Sequence, residues 1–571
     1  MKSLALIFLF LISISTIAKV GHQIDLTDFS KILILHEGRA KPIDTYSRLI
    51  LREIYGRERF ENLDSNQWLL ETIFNPKESY NNKIFKINNP QALSSLGLDS
   101  QRKFYSFIEL YKAFSSNQEM LNSILQIATE DLDPNNQYIK DLYNRFTIYM
   151  GLSRSFSFLF KDFTINELPN YSYYDLKQID NPNIPKTIQD YFTVYEEDSN
   201  LKSIYLFHSK ANDLWLTPWE EVKTHPKNNP NLNTWNNIYK AYLENNKSEF
   251  NKNVQQLTKN DSSLKTEIEL FQNKIYFSTW ITTLYIISFA LIFIYILLKK
   301  TFLIELSTLA LYTGTVIHLF MIIFRSIILS RPPVSNLYES ILFVSLTSVV
   351  VGVFYYLKTK NIMGIFLSSS IGVALLFLSQ GYERSGDNMG MVVAVLDTNF
   401  WLATHVLTIS IGYGCALVMS FMAHYYLIQY HSLSKQENEK IYNNIHLILL
   451  FSLFFTVLGT ILGGIWADQS WGRFWGWDPK ENGALLICLW LLWIAHAKIS
   501  RHFDQIKYAI FVSATSIIVI LAWFGVNLLN VGLHSYGFSN DTAYSIALFT
   551  LAEIIILTAL YLRIRLTIKK A

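Results

Sequence analysis

The distribution of apolar and polar residues divides this chain of 571 residues into two parts. Residues 20–274 are polar and rich in asparagine, and they contain no apolar run long enough to cross a membrane. From Tyr276 onward, long apolar runs follow one another with short polar connections. The pattern predicts a soluble domain at 20–274 and a multi-span membrane domain at 275–571.

The apolar part contains about nine candidate transmembrane helices, at about 20 apolar residues per crossing. Their approximate limits are 277–298, 302–329, 338–357, 362–380, 401–429, 445–467, 482–499, 509–529 and 542–565. In the polar part, the apolar spacing is roughly helical at 46–60, 107–114 and 235–276. We therefore predict an all-α polytopic membrane protein with a mainly helical soluble domain.

The first 19 residues contain one lysine, an apolar run of about 14 residues and small residues near Ala18. This pattern is typical of a secretory signal peptide or a short amino-terminal anchor, so the soluble domain is expected outside the cytoplasm. With that domain outside, the loops predicted to be inside carry more Lys and Arg than the outer loops, as the positive-inside rule requires. The connection between the sixth and seventh spans then faces the exterior.

Composition excludes two classes of function. The net charge of +3 is too small, and no basic tract is rich enough, to predict a nucleic-acid partner. The two cysteines, Cys415 and Cys488, both fall inside apolar spans, so the chain has neither a disulfide framework nor a Cys-x-x-Cys redox pair. Thiol chemistry here would have to use the thiols of another molecule.

The external connection at 471–482 reads WGRFWGWDPKEN and is unusually rich in aromatic and charged residues. Its chemistry-bearing residues are Trp471, Gly472, Arg473, Trp475, Trp477, Asp478, Lys480 and Glu481. Exposed tryptophans cost free energy unless they lie at a membrane interface or against a flat apolar ligand. An interfacial aromatic belt is one interpretation; a platform for a flat ligand is the one we favour.

Two histidines flank this loop at the same predicted membrane face. His405 lies at the outer mouth of the fifth span, and His534 lies in the next external loop after the tryptophan-rich one. Neutral imidazole is a common iron ligand, and two imidazoles can hold a haem axially from opposite sides. A single histidine at a membrane boundary means little, but this pair predicts a haem site beside the platform.

Two further histidines lie deep within predicted spans, whereas His424, His431, His446 and His502 lie at inner boundaries or in loops. His496 is about 21 Å below the outer surface and His318 about 16 Å below it, at about 1.5 Å of rise per helical residue. Ionisable groups at such depth are usually functional, and the similar depths allow a second bis-histidine site. His496 could instead extend to the inner interface, where Lys498 and Arg501 lie nearby.

The loop with its flanking histidines resembles the tryptophan-rich "WWD" signature of haem-handling proteins, and the arrangement is similar to the CcsA family of cytochrome c biogenesis proteins. The segments SRPPVSNLYES at 330–340 and HEGRAKPIDTYSR at 36–48 also resemble that family. The resemblance covers the membrane part well and the soluble part loosely.

The resemblance implies haem b as the transported substrate and covalent attachment of haem to the Cys-x-x-Cys-His thiols of an apocytochrome c. It implies that His405 and His534 ligate the iron at the outer site and that His496 holds haem within the membrane. The second ligand of the inner site is expected from a ResB/CcsB-like membrane protein, or else from His318. The implied location is the bacterial inner membrane, with the WWD loop on the periplasmic side.

In this reading the loop residues position the haem for attachment. The charged residues Asp478, Lys480 and Glu481 either steer haem propionates and the apocytochrome or fix the loop. Arg331 and Arg473 are candidate propionate partners on the same face, since Arg forms bidentate bonds with carboxylates. Two other classes stay open: a bis-histidine electron-transfer protein, in which haem stays bound, and a transporter that binds no haem.

Overall fold

A computed structural model describes residues 24–160, 204–209, 213–224, 229–259, 263–383, 387–392, 398–526 and 540–570. These residues belong to two compact units, Met1–Leu270 and Phe271–Ala571. The predicted signal or anchor at 1–19 and the predicted iron ligand His534 lie outside the described residues. The division of the chain into an exported and a membrane domain at 274/275 stays a prediction.

The amino-terminal part of the chain is mainly helical, as predicted. Its α-helices are Ile43–Tyr55, Ser65–Phe74, Pro76–Ser79, Pro90–Ser95, Phe107–Ser116, Gln118–Gln126, Pro134–Arg154, Pro218–Thr224, Pro230–Leu243, Lys247–Thr258 and Leu264–Ile275, with short 3-10 turns at Phe29–Lys31, Thr129–Asp131 and Ser157–Leu159. Four antiparallel strand pairs accompany them: Leu33–His36 with Arg39–Pro42, Arg59–Phe60 with Leu63–Asp64, Lys83–Lys86 with Phe104–Ser106, and Phe207–Ser209 with Leu214–Leu216. Large buried rings such as Trp68, Tyr105 and Phe85 fill one apolar core.

The segment HEGRAKP forms a β-hairpin that leads into the first long helix. Glu37 and Gly38 both have positive φ at its tip, the backbone that a two-residue hairpin turn requires. Arg39 donates two hydrogen bonds to Glu269, at 2.7 and 2.9 Å, and Lys41 is fully buried with its Nζ 3.1 Å from Nδ1 of His36. These basic side chains are therefore engaged in packing the hairpin.

The carboxyl-terminal unit contains nine helices, among the described residues, that are long and apolar enough to span a membrane. They run over Phe277–Leu298, Phe302–Leu329, Leu337–Thr359, Met363–Glu383, Asn399–Gln429, Lys435–Trp471, Pro479–Ile499, Gln505–Trp523 and Ala543–Ile568. The predicted fold class is thus confirmed. We refer to these helices as the first to the ninth span.

Several spans differ in detail from their predicted limits. The sixth span continues to Trp471 and the seventh begins at Pro479, so only residues 472–478 connect them. The fifth span begins with one α-helical turn, Asn399–Trp401, and a π-helical turn, Leu402–Val406, before Leu407–Gln429. The eighth span consists of two helices, Gln505–Ser513 and Thr515–Trp523.

Small residues let the spans pack closely. A Cβ at Gly459 of the sixth span would lie 2.8 Å from Cβ of Ile409, and a Cβ at Gly412 would lie 2.6 Å from Oγ1 of Thr456. Both distances are shorter than non-bonded contacts allow. The fifth and sixth spans can therefore lie this close together only with glycine at positions 412 and 459. This close pair forms one side of the site described next.

Candidate functional site

The fifth to eighth spans and the start of the third enclose a large open cleft. Its empty volume is about 1230 Å³, including the solvent-open mouth. It is lined by Val334, Ser335, Asn336, Leu337, Ser340, Val392, Leu402, His405, Val406, Ile409, Ser410, Tyr413, Thr460, Gly463, Gly464, Trp466, Ala467, Trp471, Trp475, Lys480, Glu481, Ala484 and Trp523.

His405 is held in the cleft wall by the sixth span. It lies in the π-helical turn, a widened turn that is frequent at functional sites. Its Nδ1 lies 2.8 Å from the carbonyl oxygen of Gly459, and its ring packs edge-on against Trp466. Because a carbonyl can only accept, Nδ1 carries the proton and the neutral ring has its lone pair on Nε2. This hydrogen bond fixes the tautomer and the orientation of the ring, as is usual for metal-binding histidines.

Gly463 makes room for this imidazole. A Cβ at position 463 would lie 2.6 Å from Cε1 of His405 and 3.0 Å from Nδ1. One residue on, a Cβ at Gly464 would meet the ring of Phe474 at 2.6 Å. The two glycines therefore allow the histidine on one side, and the tryptophan-rich loop on the other, to lie directly against the sixth span.

Hydrogen bonds from Asp478 and Glu481 shape the connection at 472–478. Asp478 caps the seventh span: its side chain accepts from the backbone N–H of Lys480, and Glu481 accepts from the N–H of Asp478 in return. Glu481 also accepts from the N–H of Gly476 at 2.7 Å and from Arg473 at 3.2 Å. Asp478 and Glu481 thus fix the loop, which was one of the two roles considered for them.

The three tryptophans of the loop occupy different environments. Trp471 ends the sixth span and, like Trp475, lines the cleft. Trp477 does not line the cleft; its side chain is 70% exposed, and its ring meets that of Trp475 at 6.0 Å, almost perpendicularly. Its backbone is left-handed, with φ of +57°. This conformation is unfavourable for a bulky residue. The side-chain amide of Asn482 donates a hydrogen bond to the carbonyl oxygen of Trp477 at 2.9 Å.

Lys480 connects the loop to the opposite wall of the cleft. Its Nζ donates to the carbonyl oxygen of Trp523, the last residue of the eighth span, at 2.8 Å. The indole N–H of Trp523 in turn donates to Oγ of Ser340 in the third span at 3.3 Å. These bonds join three spans around the cleft, so Lys480 has a structural role in this arrangement.

The two candidate propionate partners are both paired with glutamates. Arg473 donates to Glu481, as described. Arg331 is buried and donates to Glu339 at 3.0 Å; Arg325 donates to the other oxygen of the same carboxylate at 3.1 Å. Neither Arg331 nor Arg473 is among the cleft-lining residues in the described part of the chain. Arg331 instead stabilises the segment at 334–340, which does line the cleft.

The histidines predicted within the membrane differ sharply in exposure. His496 is exposed on the seventh span, and its Nδ1 lies 2.9 Å from the carbonyl oxygen of Leu492. His318 is fully buried in the second span, with its Nδ1 3.3 Å from the hydroxyl of Tyr285 in the first span. Neither of these histidines lines the cleft described above. His534, the predicted partner of His405, lies outside them.

Sequence reasoning did not identify several residues of the cleft. Trp466 and the two glycines before it were available as the string GGIW, in which paired glycines next to a tryptophan indicate close packing. Ser340 lies in the segment at 330–340 that resembles the CcsA family, but Trp523 carries no comparable signal, because it meets Ser340 only through tertiary packing.

Comparisons with known proteins concern the same region. Residues 334–534 match the family described as "Cytochrome C assembly protein". "Cytochrome c biogenesis protein CcsA" of Chlamydomonas reinhardtii is 30% identical over 36% of this chain and 62% of that protein, and CcsA of Cucumis sativus is 27% identical over 46% and 97%. "Protein NrfI" of Wolinella succinogenes is 25% identical over 87% of this chain and 53% of that protein. The chain thus spans less than two thirds of the Chlamydomonas and Wolinella relatives.

Among solved structures, "Cytochrome c Heme Lyase CcmF" aligns with half of this chain and half of its own length, at 14% identity and a TM-score of 0.39.

Proposed function

Since the chain is a CcsA-type cytochrome c biogenesis protein, we propose that it binds haem b in the cleft and attaches it covalently to an apocytochrome c. The substrate polypeptide supplies two thiols from a Cys-x-x-Cys-His segment. The chain acts with a ResB/CcsB-like membrane protein. It lies in the bacterial inner membrane, and the cleft opens to the periplasm.

The observation that carries this proposal is the environment of His405. Its Nδ1 is held by the Gly459 carbonyl, so the neutral ring has its lone pair on Nε2, in a wall that also contains Trp471 and Trp475. An oriented imidazole beside indole rings is the donor set that an iron porphyrin needs. An aromatic belt alone would require no oriented histidine.

We propose His534 as the second axial ligand. In the sequence it lies between the eighth and ninth spans, in the external connection that follows the tryptophan-rich one. Two axial imidazoles hold the iron until the histidine of the substrate segment displaces one of them. The haem then leaves the cleft as part of the finished cytochrome, whereas an electron-transfer protein keeps its haem.

The contribution of the cleft to attachment is positioning. Each thioether forms when a cysteine S–H adds across one vinyl C=C bond: sulfur bonds to one carbon and the proton goes to the other, without net oxidation. Trp471 and Trp475 hold the ring, Gly472 ends the sixth span directly after Trp471, and Asp478, Lys480 and Glu481 keep the wall in place. When the porphyrin ring is held in place, the vinyl groups and the thiols meet within one complex, which removes a large part of the entropic barrier to their reaction.

The charge pairs suggest how haem propionates are accommodated. Arg473 has a partly exposed side chain and shares Glu481 with two backbone N–H groups, so it can reorient toward a propionate. Arg331 is buried against Glu339 and acts by holding the segment at 334–340. We therefore assign propionate binding to Arg473 before Arg331.

His496 fits a haem ligand shared with a partner chain. Its side chain is exposed on the surface of the seventh span, whereas His318 is enclosed among other spans. We propose that the second ligand of the inner site comes from the ResB/CcsB-like polypeptide. An exposed histidine on a membrane helix is costly in lipid, which favours a protein or haem neighbour there.

The test is co-expression with an apocytochrome c in cells that lack other maturation proteins. We expect covalent cytochrome, detected by haem staining after denaturing electrophoresis, with the wild-type complex. No covalent cytochrome should form with the His405→Ala variant, or with a substrate in which both cysteines are replaced by serine. Haem that copurifies without any covalent product would instead favour an electron-transfer protein, and a colourless complex would favour a transporter.

A further inference from the structure

Trp477 differs from the other tryptophans of the loop in that nothing in the cleft explains its position. Trp475, two residues earlier, lines the cleft, while the Trp477 side chain is 70% exposed. Its φ of +57° is disfavoured for a bulky side chain. Strained residues of this kind persist only where the surroundings hold them, and they cluster at functional sites.

The surroundings of Trp477 do hold it in this conformation. The amide of Asn482 donates to its carbonyl oxygen, and Glu481 accepts from the N–H groups of both Gly476 and Asp478, its two neighbours. The loop therefore fixes the backbone that carries this exposed indole. A tryptophan that anchors a protein in the lipid interface needs only the correct depth and no such backbone.

Two further exposed apolar residues are sequence neighbours of cleft-lining residues. Phe474, beside Trp475, is 49% exposed, and Met391, beside Val392, is 63% exposed. Tryptophan dominates binding energy at many protein interfaces, and methionine adapts to varied peptide surfaces.

We propose that Trp477, whose ring contacts that of cleft-lining Trp475, is a docking residue for the thiol-bearing polypeptide, which lies across the mouth of the cleft as an extended segment. This inference rests on the proposed function and refines it, because it separates haem binding by Trp471 and Trp475 from substrate binding by Trp477. A segment that presents two thiols to a ring in the cleft must pass the mouth, where its side chains can cover the indole.

The experiment uses the haem-loaded complex with its partner in lipid nanodiscs. The probe is a labelled apocytochrome peptide in which both cysteines are serine, so it can bind but not react. Affinity is measured by fluorescence anisotropy, and haem content by absorption. Trp477→Ala should keep its haem but bind the peptide about 30-fold more weakly, the equivalent of about 2 kcal/mol for a tryptophan anchor.

Matched variants separate the indole from the backbone. Trp477→Gly relieves the left-handed strain, while Trp477→Ala retains it, so equal losses of affinity assign the effect to the missing ring. Trp477→Phe keeps an aromatic ring and should recover part of the affinity. Tyr544→Ala removes another exposed aromatic side chain, at the start of the ninth span, and should change nothing.

Three results would overturn the inference. Unchanged peptide affinity in both Trp477→Ala and Trp477→Gly would exclude docking, and loss of haem in both would make Trp477 part of the haem wall. Equal losses of complex stability in Trp477→Ala and Tyr544→Ala, with normal peptide binding, would assign the ring to the lipid interface. Absence of haem from the wild-type complex would instead reject the proposed function itself.

Discussion

Replacing Gly463 by alanine tests the geometry of the cleft without replacing the proposed haem ligand His405. Gly463 lies in the sixth span, directly against the imidazole of His405. The added methyl carbon would lie 2.6 Å from Cε1 of His405. Carbon atoms in contact are about 3.5–4.0 Å apart, so the imidazole has to move by about 1 Å.

That movement has two consequences. The hydrogen bond from Nδ1 to the carbonyl of Gly459, now 2.8 Å, is lengthened or broken, at a cost of about 0.5–1.5 kcal/mol. The iron ligand also moves relative to the tryptophan wall. A misplacement of about 1 Å can lower the rate of a positioned reaction by about 100-fold.

We expect Gly463→Ala to accumulate at wild-type levels but to bind haem with altered axial ligation and to form about 100-fold less covalent cytochrome. Absorption spectra of the purified complex and haem staining of co-expressed cytochrome measure the two effects. Gly381→Ala is the control, because a Cβ at this helical position meets no atom within 4 Å. A Gly463→Ala variant with normal spectrum and yield would refute the close packing of His405 on the sixth span.

Three further predictions address the loop, the charge cluster and the inner site. Glu481→Ala leaves the N–H groups of Gly476 and Asp478 without their acceptor, so we expect the free energy of unfolding to fall by about 1–3 kcal/mol and bound haem to be lost. Glu481→Gln should have a milder effect, because its amide oxygen can still cap the helix. Thermal unfolding and haem content measure the two effects. Glu339→Ala removes the carboxylate that pairs with the buried Arg325 and Arg331, and should lower the free energy of unfolding by about 3–5 kcal/mol. Glu305→Ala replaces an exposed glutamate and should change thermal unfolding very little. His496→Ala should lower the amount of haem at the outer cleft without changing the amount of protein. His502→Ala, which replaces another exposed histidine, should not lower it. Equal haem contents in the two variants would argue that His496 only extends to the inner interface.

Hydropathy was sufficient to predict the membrane fold, because a span needs about 20 apolar residues whatever its neighbours are. It was less accurate at the ends of the spans. The seventh span begins at Pro479, although its predicted start was 482. The string DPKE contains an N-cap aspartate, a proline at the first helical position and a glutamate two residues after that proline, which is a recognisable helix start. Local sequence could thus have predicted this boundary.

The cleft was only partly predictable. The clustering of tryptophans and the nearby His405 were visible in the sequence, and both are part of the cleft wall. The different roles of Trp475 and Trp477 were not visible, because they depend on one left-handed backbone residue. The bond from Lys480 to Trp523 joins residues 43 positions apart and leaves no periodic signal. Tertiary contacts of this kind require the folded chain.

The proposal that His405 holds haem iron is tested most directly by replacing it with glycine and adding imidazole. In the purified complex with its partner, the wild type should show the spectrum of iron with two axial nitrogen ligands. His405→Gly should lose that spectrum and regain it, together with part of the covalent cytochrome yield, when imidazole is supplied. An unchanged spectrum in His405→Gly, or a wild-type complex without haem, would contradict the account.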